Sequence, residues 1–289
     1  MTLNGTVNNA RTSNRIIYFG GTGTNTVAGV IQDNPNNPAG RMYVYTTGGT
    51  WILSNPANRY TGATFVQTNS TLVVNGRIAA STGGGVIVQN GGTLSGTGII
   101  LAATTNQSGS VLSPGPSVGT LTVNNNLTLQ GTAVMEISRA GGVLANDRVA
   151  GVSTLNYGGT LIVTNAGGSP LQAGDSFKLF AATNYVASFA SVIYPSGYTF
   201  TNTLATDGTI SVLTAPVITS PTLSFAPSGS DWVFTWSGSG FKLQMQTNNL
   251  TAGLGTNWVD VPGGDTSGVS VPAPMPGILA TFFRLISTP

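Results

Sequence analysis

The sequence predicts an all-β protein, a β-solenoid followed by a small antiparallel β-sandwich, and three observations carry that prediction. Short strands of pattern Leu/Val-x-Val recur, each closing on Asn or Gly: Leu72-Val73-Val74-Asn75-Gly76, Val86-Ile87-Val88-Gln89-Asn90-Gly91, Leu121-Thr122-Val123-Asn124 and Leu161-Ile162-Val163-Thr164-Asn165. Gly-Thr pairs lead into many strands, at Gly49-Thr50, Gly92-Thr93, Gly119-Thr120, Gly131-Thr132 and Gly159-Thr160. No stretch keeps the 3.6-residue apolar period of an amphipathic helix. Alternating β-branched residues favour strands, while Gly and Asn supply the positive φ of tight corners. A coil of such strands cannot bury its apolar face alone and must stack on its neighbours.

The elements follow in order. Residues 1–158 read as the solenoid, with irregular repeat spacing. Residues 159–213 hold longer strands and larger aromatics, among them Phe177, Phe180, Tyr185, Phe189 and Tyr194, and read as the thickened end that closes it. Residues 214–221 form a Pro-spaced linker, since Pro marks strand boundaries. Residues 222–289 read as a sandwich of the fibronectin or immunoglobulin type, built from about seven short strands. In Trp232-Val233-Phe234-Thr235-Trp236, three aromatics share one face and are expected in its core.

Composition narrows the function. Hydrophobic residues make up 40% of the 289, enough for a sizeable core, while charged residues are only 6%, against roughly a quarter in ordinary domains. The polar surface must come from Thr, Ser, Asn, Gln and Gly, whose hydrogen bonding is insensitive to pH. That suits a protein that lives outside the cell. The net charge is +2, and Arg11 with Arg15 is the nearest approach to a basic cluster, so nucleic acid is not an expected partner. The absence of Cys and His excludes disulfides, thiolate metal sites and His-based triads. No run reaches the roughly 20 apolar residues of a membrane helix. No cofactor or metal is expected: Gly20 to Val27 resembles a calcium β-roll nonapeptide, but Asn25 stands where the carboxylate is needed, which leaves a Gly-rich corner. The sequons at Asn4, Asn69, Asn106, Asn126 and Asn249 fall within the chance expectation for a chain this rich in Asn and Thr.

One segment carries a specific resemblance. Gly48-Gly49-Thr50-Trp51-Ile52-Leu53-Ser54, Asn58-Arg59-Tyr60-Thr61-Gly62-Ala63-Thr64 and Thr71-Leu72-Val73-Val74-Asn75-Gly76 together resemble the autotransporter-associated β-strand repeat. Gly91 to Gly98 and Leu112-Ser113-Pro114-Gly115 resemble its downstream companions. The resemblance covers about residues 40–213 and implies a right-handed parallel β-helix in an exported bacterial passenger. The last module is similar to terminal domains of secreted proteins from Verrucomicrobia-like bacteria, around Leu243 to Asn248, Thr256 to Val259 and Phe282 to Leu285. Unlike true autotransporters, the chain shows no C-terminal membrane barrel.

The functional expectation is a non-enzymatic structural or adhesive surface protein whose partners are other copies of itself and whose alternative partners are surface glycans. Met1 to Ala10 is itself repeat-like, which reads as a start within the solenoid. Either a longer passenger precedes it or its open edge docks on another subunit. Thr2, Leu3, Val7, Phe282 and Phe283 are the expected self-association residues, with Trp258 a carbohydrate platform in the alternative reading. A third reading, a polysaccharide-degrading β-helix, would use Glu136 and Asp147.

Overall fold

The computed structural model describes residues 1–37, 39–216, 221–238, 240–248, 254–273 and 280–287. The chain divides into two compact units, Met1–Pro216 and Val217–Pro289, and the described residues contain strands, turns and no helix. Part of the linker and the Asn249 sequon lie outside the described residues.

The first unit is a parallel β-solenoid of about seven turns. One of its sheets stacks Thr2–Leu3, Thr24–Val27, Gly49–Leu53, Ser70–Val74, Thr93–Gly96, Val111–Pro114, Thr132–Ala140, Thr160–Gly168 and Ser191–Ile193, every step parallel. A second face runs from Arg15–Phe19 through Met42–Thr46, Gly62–Val66, Gly83–Val88 and Thr104–Asn106 to Leu127–Leu129. A third carries Arg77–Ile78, Ile99–Ile100 and Thr120–Val123. The long strand Arg148–Asn156 pairs with both of these faces and so bends across the corner between them.

Register places like on like. Trp51, Leu72, Leu94, Leu112, Ala133 and Leu161 form one inward column, every member buried. The outward neighbours form the matching column Thr24, Thr50, Thr71, Thr93, Val111, Thr132, Thr160 and Ser191. The Gly-Thr pairs are therefore corners followed by the first outward residue of a rung. Asparagines stitch coil to coil through side-chain donors: Asn55 Nδ2 to the Ala28 carbonyl at 2.7 Å, Asn125 Nδ2 to Leu101 at 3.1 Å and Asn146 Nδ2 to Lys178 at 2.9 Å. Asn58, fully buried, accepts from the Ile31 amide at 2.8 Å and donates to the Arg77 carbonyl at 3.0 Å.

Parallel pairing continues to Ser191–Ile193, and the same unit holds an antiparallel sheet in the order Ser176–Lys178, Thr209–Thr214, Thr199–Asn202. The aliphatic column gives way here to Tyr157, Phe180, Tyr185 and Phe189, with Tyr157 at 4.7 Å from Phe189 and edge-on to Phe180 at 5.5 Å. The Tyr157 hydroxyl donates to the Leu204 carbonyl at 2.9 Å, which satisfies a polar group in a dry site.

The second unit is a pair of three-stranded antiparallel sheets. One orders Ser224–Ser228, Asp231–Thr235 and Val269–Pro272; the other orders Val259–Asp260, Phe241–Thr247 and Thr281–Ser287. Phe234, Trp236, Leu243, Val261 and Val271 are its buried core, with Trp232 partly buried against them.

Candidate functional site

The carboxylates singled out in the sequence serve the backbone. Asp147 lies between the long strands Thr132–Ala140 and Arg148–Asn156 and is 1% exposed. One of its oxygens accepts from the Gly119 amide at 2.8 Å and the other from the Glu136 amide at 2.9 Å. Burial pushes its pKa up to about 6, against the pull of those two amides, and the nearby Glu136 carboxylate adds to the rise. Asp33 does the same work nearer the N-terminus: it accepts from the Met42 amide at 2.7 Å, the Thr61 amide at 3.0 Å and the Thr61 hydroxyl at 2.6 Å. Both are acceptors where coil geometry leaves amides without a ladder partner. Asp207 is a turn cap, accepting from the Thr203 hydroxyl at 2.5 Å and the Thr209 amide at 3.0 Å. Asp175 accepts from the Gln172 amide at 2.7 Å and faces Arg139 Nε at 3.4 Å. In the β-roll-like segment, Gly21 and Gly23 take positive φ and form the corner that feeds Thr24–Val27.

The expected carbohydrate platform, Trp258, is half-buried, and the Arg284 guanidinium lies 4.2 Å from its ring centroid. Arg284 is held there by Gln244 Oε1, which accepts from Nε at 2.9 Å and Nη2 at 2.7 Å. That ring face is already occupied by an internal cation–π contact. Of the expected self-association residues, Thr2 and Leu3 pair with Thr26 and Val27, and Val7 pairs with Ile31. Each makes its ladder on one side only among the described residues. Phe283 packs against Phe234 at 4.2 Å and serves the core of its own unit, and Phe282 stands half-buried opposite Gln246.

Two surface arrays emerge that strand-by-strand reading does not single out. The first is the outward threonine column, which carries no charge along its length. The second is an aromatic ladder on the adjacent face: Tyr18 pairs in register with Tyr45, and Tyr45 with Phe65. Their ring centroids are 5.2 and 4.5 Å apart. Burial, then the neighbouring phenols of Tyr18 and Tyr43, raises the Tyr45 pKa, so its hydroxyl stays protonated in neutral solution. The Tyr45 and Phe65 rings are stacked, Tyr18 is tilted against Tyr45, and Tyr18 is 61% exposed. The signal in the sequence is the alternation Met42-Tyr43-Val44-Tyr45-Thr46, with aromatic residues on the outward phase.

No protein-family model matches the chain, and no curated protein matches it.

Proposed function

We propose that the protein is an extracellular structural and adhesive protein of a bacterial surface, related to the autotransporter-associated repeat passengers, and that its solenoid associates with other copies of itself. The observation that carries this reading is the apolar side chains that the strand Arg15–Phe19 presents to solvent, with Ile16 and Tyr18 48% and 61% exposed. Apolar side chains exposed together on a β-strand offer a surface on which another copy can pack. A continuous ladder of parallel rungs also suits a stiff, protease-resistant rod. The glycan alternative through Trp258 has less support, since Arg284 already covers the ring. The hydrolytic alternative has less support because both Asp147 oxygens are engaged by backbone amides.

Sedimentation and electron microscopy across a concentration series test the reading. Wild-type protein elongates with concentration, and the double variant Ile16→Lys/Tyr18→Lys, which places charge on that strand, stays monomeric with an unchanged circular dichroism spectrum. Discrete monomers of the wild type at every concentration overturn self-association.

A further inference from the structure

The solenoid distributes its charge unevenly. As far as Met135 the chain holds five basic side chains, Arg11, Arg15, Arg41, Arg59 and Arg77, and one acidic one, Asp33. They are scattered in sequence, yet coiling brings the backbones of Arg11, Arg15, Arg41 and Arg59 to neighbouring positions at one corner. The Arg15 amide donates to the Arg41 carbonyl at 2.8 Å, and Asn34 Nδ2 donates to the Arg11 carbonyl at 2.8 Å. Arg59 bridges in parallel to Gln32, and its amide donates to the Ile31 carbonyl at 2.9 Å. The buried Asn58 beside it ties down the Arg77 carbonyl. The backbones of Arg11, Arg15 and Arg41 are thereby joined, with Asn9 and Asn34 between them, Arg59 lies one coil on at the level of Gln32, and Arg77 stands on the third face.

None of the five guanidinium groups has a carboxylate partner among the described residues. Asp33, the one acid within reach, is spent on the Met42 amide and on the Thr61 amide and hydroxyl. Arg11, Arg15 and Arg59 are exposed. Arg41 reaches the Thr82 carbonyl at 3.5 Å, and Arg77 Nε is buried with no partner. Arg15 also opens the strand that presents Ile16 and Tyr18 outward.

The surroundings of the charge select among polyanions. Parallel rungs stack about 4.8 Å apart, so the arginines repeat their positive charge on that scale or longer, among uncharged polar side chains. A nucleic-acid strand carries a charge on every nucleotide, and its binding rests on neutralising many of them. An acidic polysaccharide sets its carboxylate or sulfate groups among free hydroxyls. Those hydroxyls suit the Asn side chains and the hydroxyl of Tyr18 near the arginines, and guanidinium forks match carboxylate and sulfate oxygens two at a time. We propose that this corner binds an acidic polysaccharide, its carboxylate or sulfate groups seated in turn on Arg11, Arg15, Arg41 and Arg59. The site lies within one copy and does not depend on self-association.

Affinity electrophoresis of the full chain at about 50 mM salt, in gels cast with polygalacturonate, dextran sulfate or neutral dextran, tests it. Wild-type protein is retarded by one or both acidic polymers and not by dextran. Retardation by polygalacturonate alone assigns a carboxylate ligand, and by dextran sulfate alone a sulfate ester. The triple variant Arg11→Gln/Arg15→Gln/Arg59→Gln binds at least tenfold more weakly with an unchanged melting curve, whereas Lys242→Gln in the other unit binds as wild type does. The proposal is overturned if neither acidic polymer retards the wild type or if the triple variant keeps its affinity. It is equally overturned if duplex DNA or phosphatidylglycerol vesicles bind more tightly than both polysaccharides.

Discussion

The solenoid and the C-terminal module are both built from short strands with little charge, yet they solve the burial of apolar surface differently. In the solenoid each inner rung is paired on both sides by rungs above and below, and one column of Leu and its equivalents runs through the interior. In the module two three-stranded sheets share a core of five buried residues, and each sheet ends on edge strands. The first design gains stability by repetition, so a fault in one coil is a fault in its neighbours' ladder too. The second is closed within itself, and its hairpins stand in open space.

A matched pair of substitutions sharpens that contrast. Gly96 has φ +114°, and a Cβ there would sit 2.2 Å from the Val74 carbonyl oxygen of the preceding coil. Gly96→Ala is expected to cost about 3 kcal/mol or more, because only backbone movement relieves the clash. Gly229, at φ +64° in the hairpin between Ser224–Ser228 and Asp231–Thr235, has nothing within 4 Å of the same Cβ. Gly229→Ala should cost only about 1 kcal/mol. Denaturant unfolding followed by hydrogen exchange at each unit's amides measures both, and equal costs would break the comparison.

The next largest effect is a pH dependence carried by Asp147 in the solenoid. The folded-state pKa of Asp147 is raised from 3.8 to about 6, so the folded state holds its proton more tightly than the unfolded chain does. Its contribution to stability is therefore fully present below about pH 4, is lost as pH rises towards 6, and is constant above that, by up to about 3 kcal/mol in total. Asp207 and Asp260, whose pKa values are lowered, contribute with the opposite sign. Asp147→Asn should remove the Asp147 component in this window while losing one of the two amide acceptors. A wild-type stability that does not fall relative to Asp147→Asn between pH 4 and 6 would contradict the assignment.

The smallest effect belongs to the module surface. Trp258→Ala removes the ring under Arg284 and is expected to lower the module's stability by about 0.5–1 kcal/mol and to leave the solenoid's exchange pattern unchanged. A loss of several kcal/mol would mean that the ring is a structural anchor.

Much of the solenoid was legible residue by residue. The Leu72-x-Val74 and Leu121-x-Val123 alternations placed the inward side chains, and Gly-Thr pairs placed corners, because strand periodicity and positive φ are local properties. The antiparallel module was legible from Trp232 to Trp236 for the same reason. The roles of single polar residues were harder to read. Asp33 and Asp207 look alike in sequence, each beside Asn or Gly, yet Asp207 caps a local turn while Asp33 accepts the Met42 amide of its own coil and the Thr61 amide of the next. The distinction lies in which residues the coil places overhead, and the irregular coil length hides that partner. The same is true of Trp258, whose covering Arg284 comes from the strand Thr281–Ser287, distant in sequence.

By itself, then, the sequence determined the all-β class, the parallel stacking of short rungs and the sparse charge, since each depends on local propensity and overall composition. Only the tertiary structure decided what faces what across coils. Arg11 and Arg15 were a weak cluster in the sequence. Coiling brought the Arg41 backbone onto Arg15 and Arg59 onto Gln32, and register brought Tyr45 under Tyr18 and Phe65 under Tyr45. A parallel ladder turns residues one coil apart into neighbours about 4.8 Å apart, and that distance decides whether isolated charges and rings act as one surface.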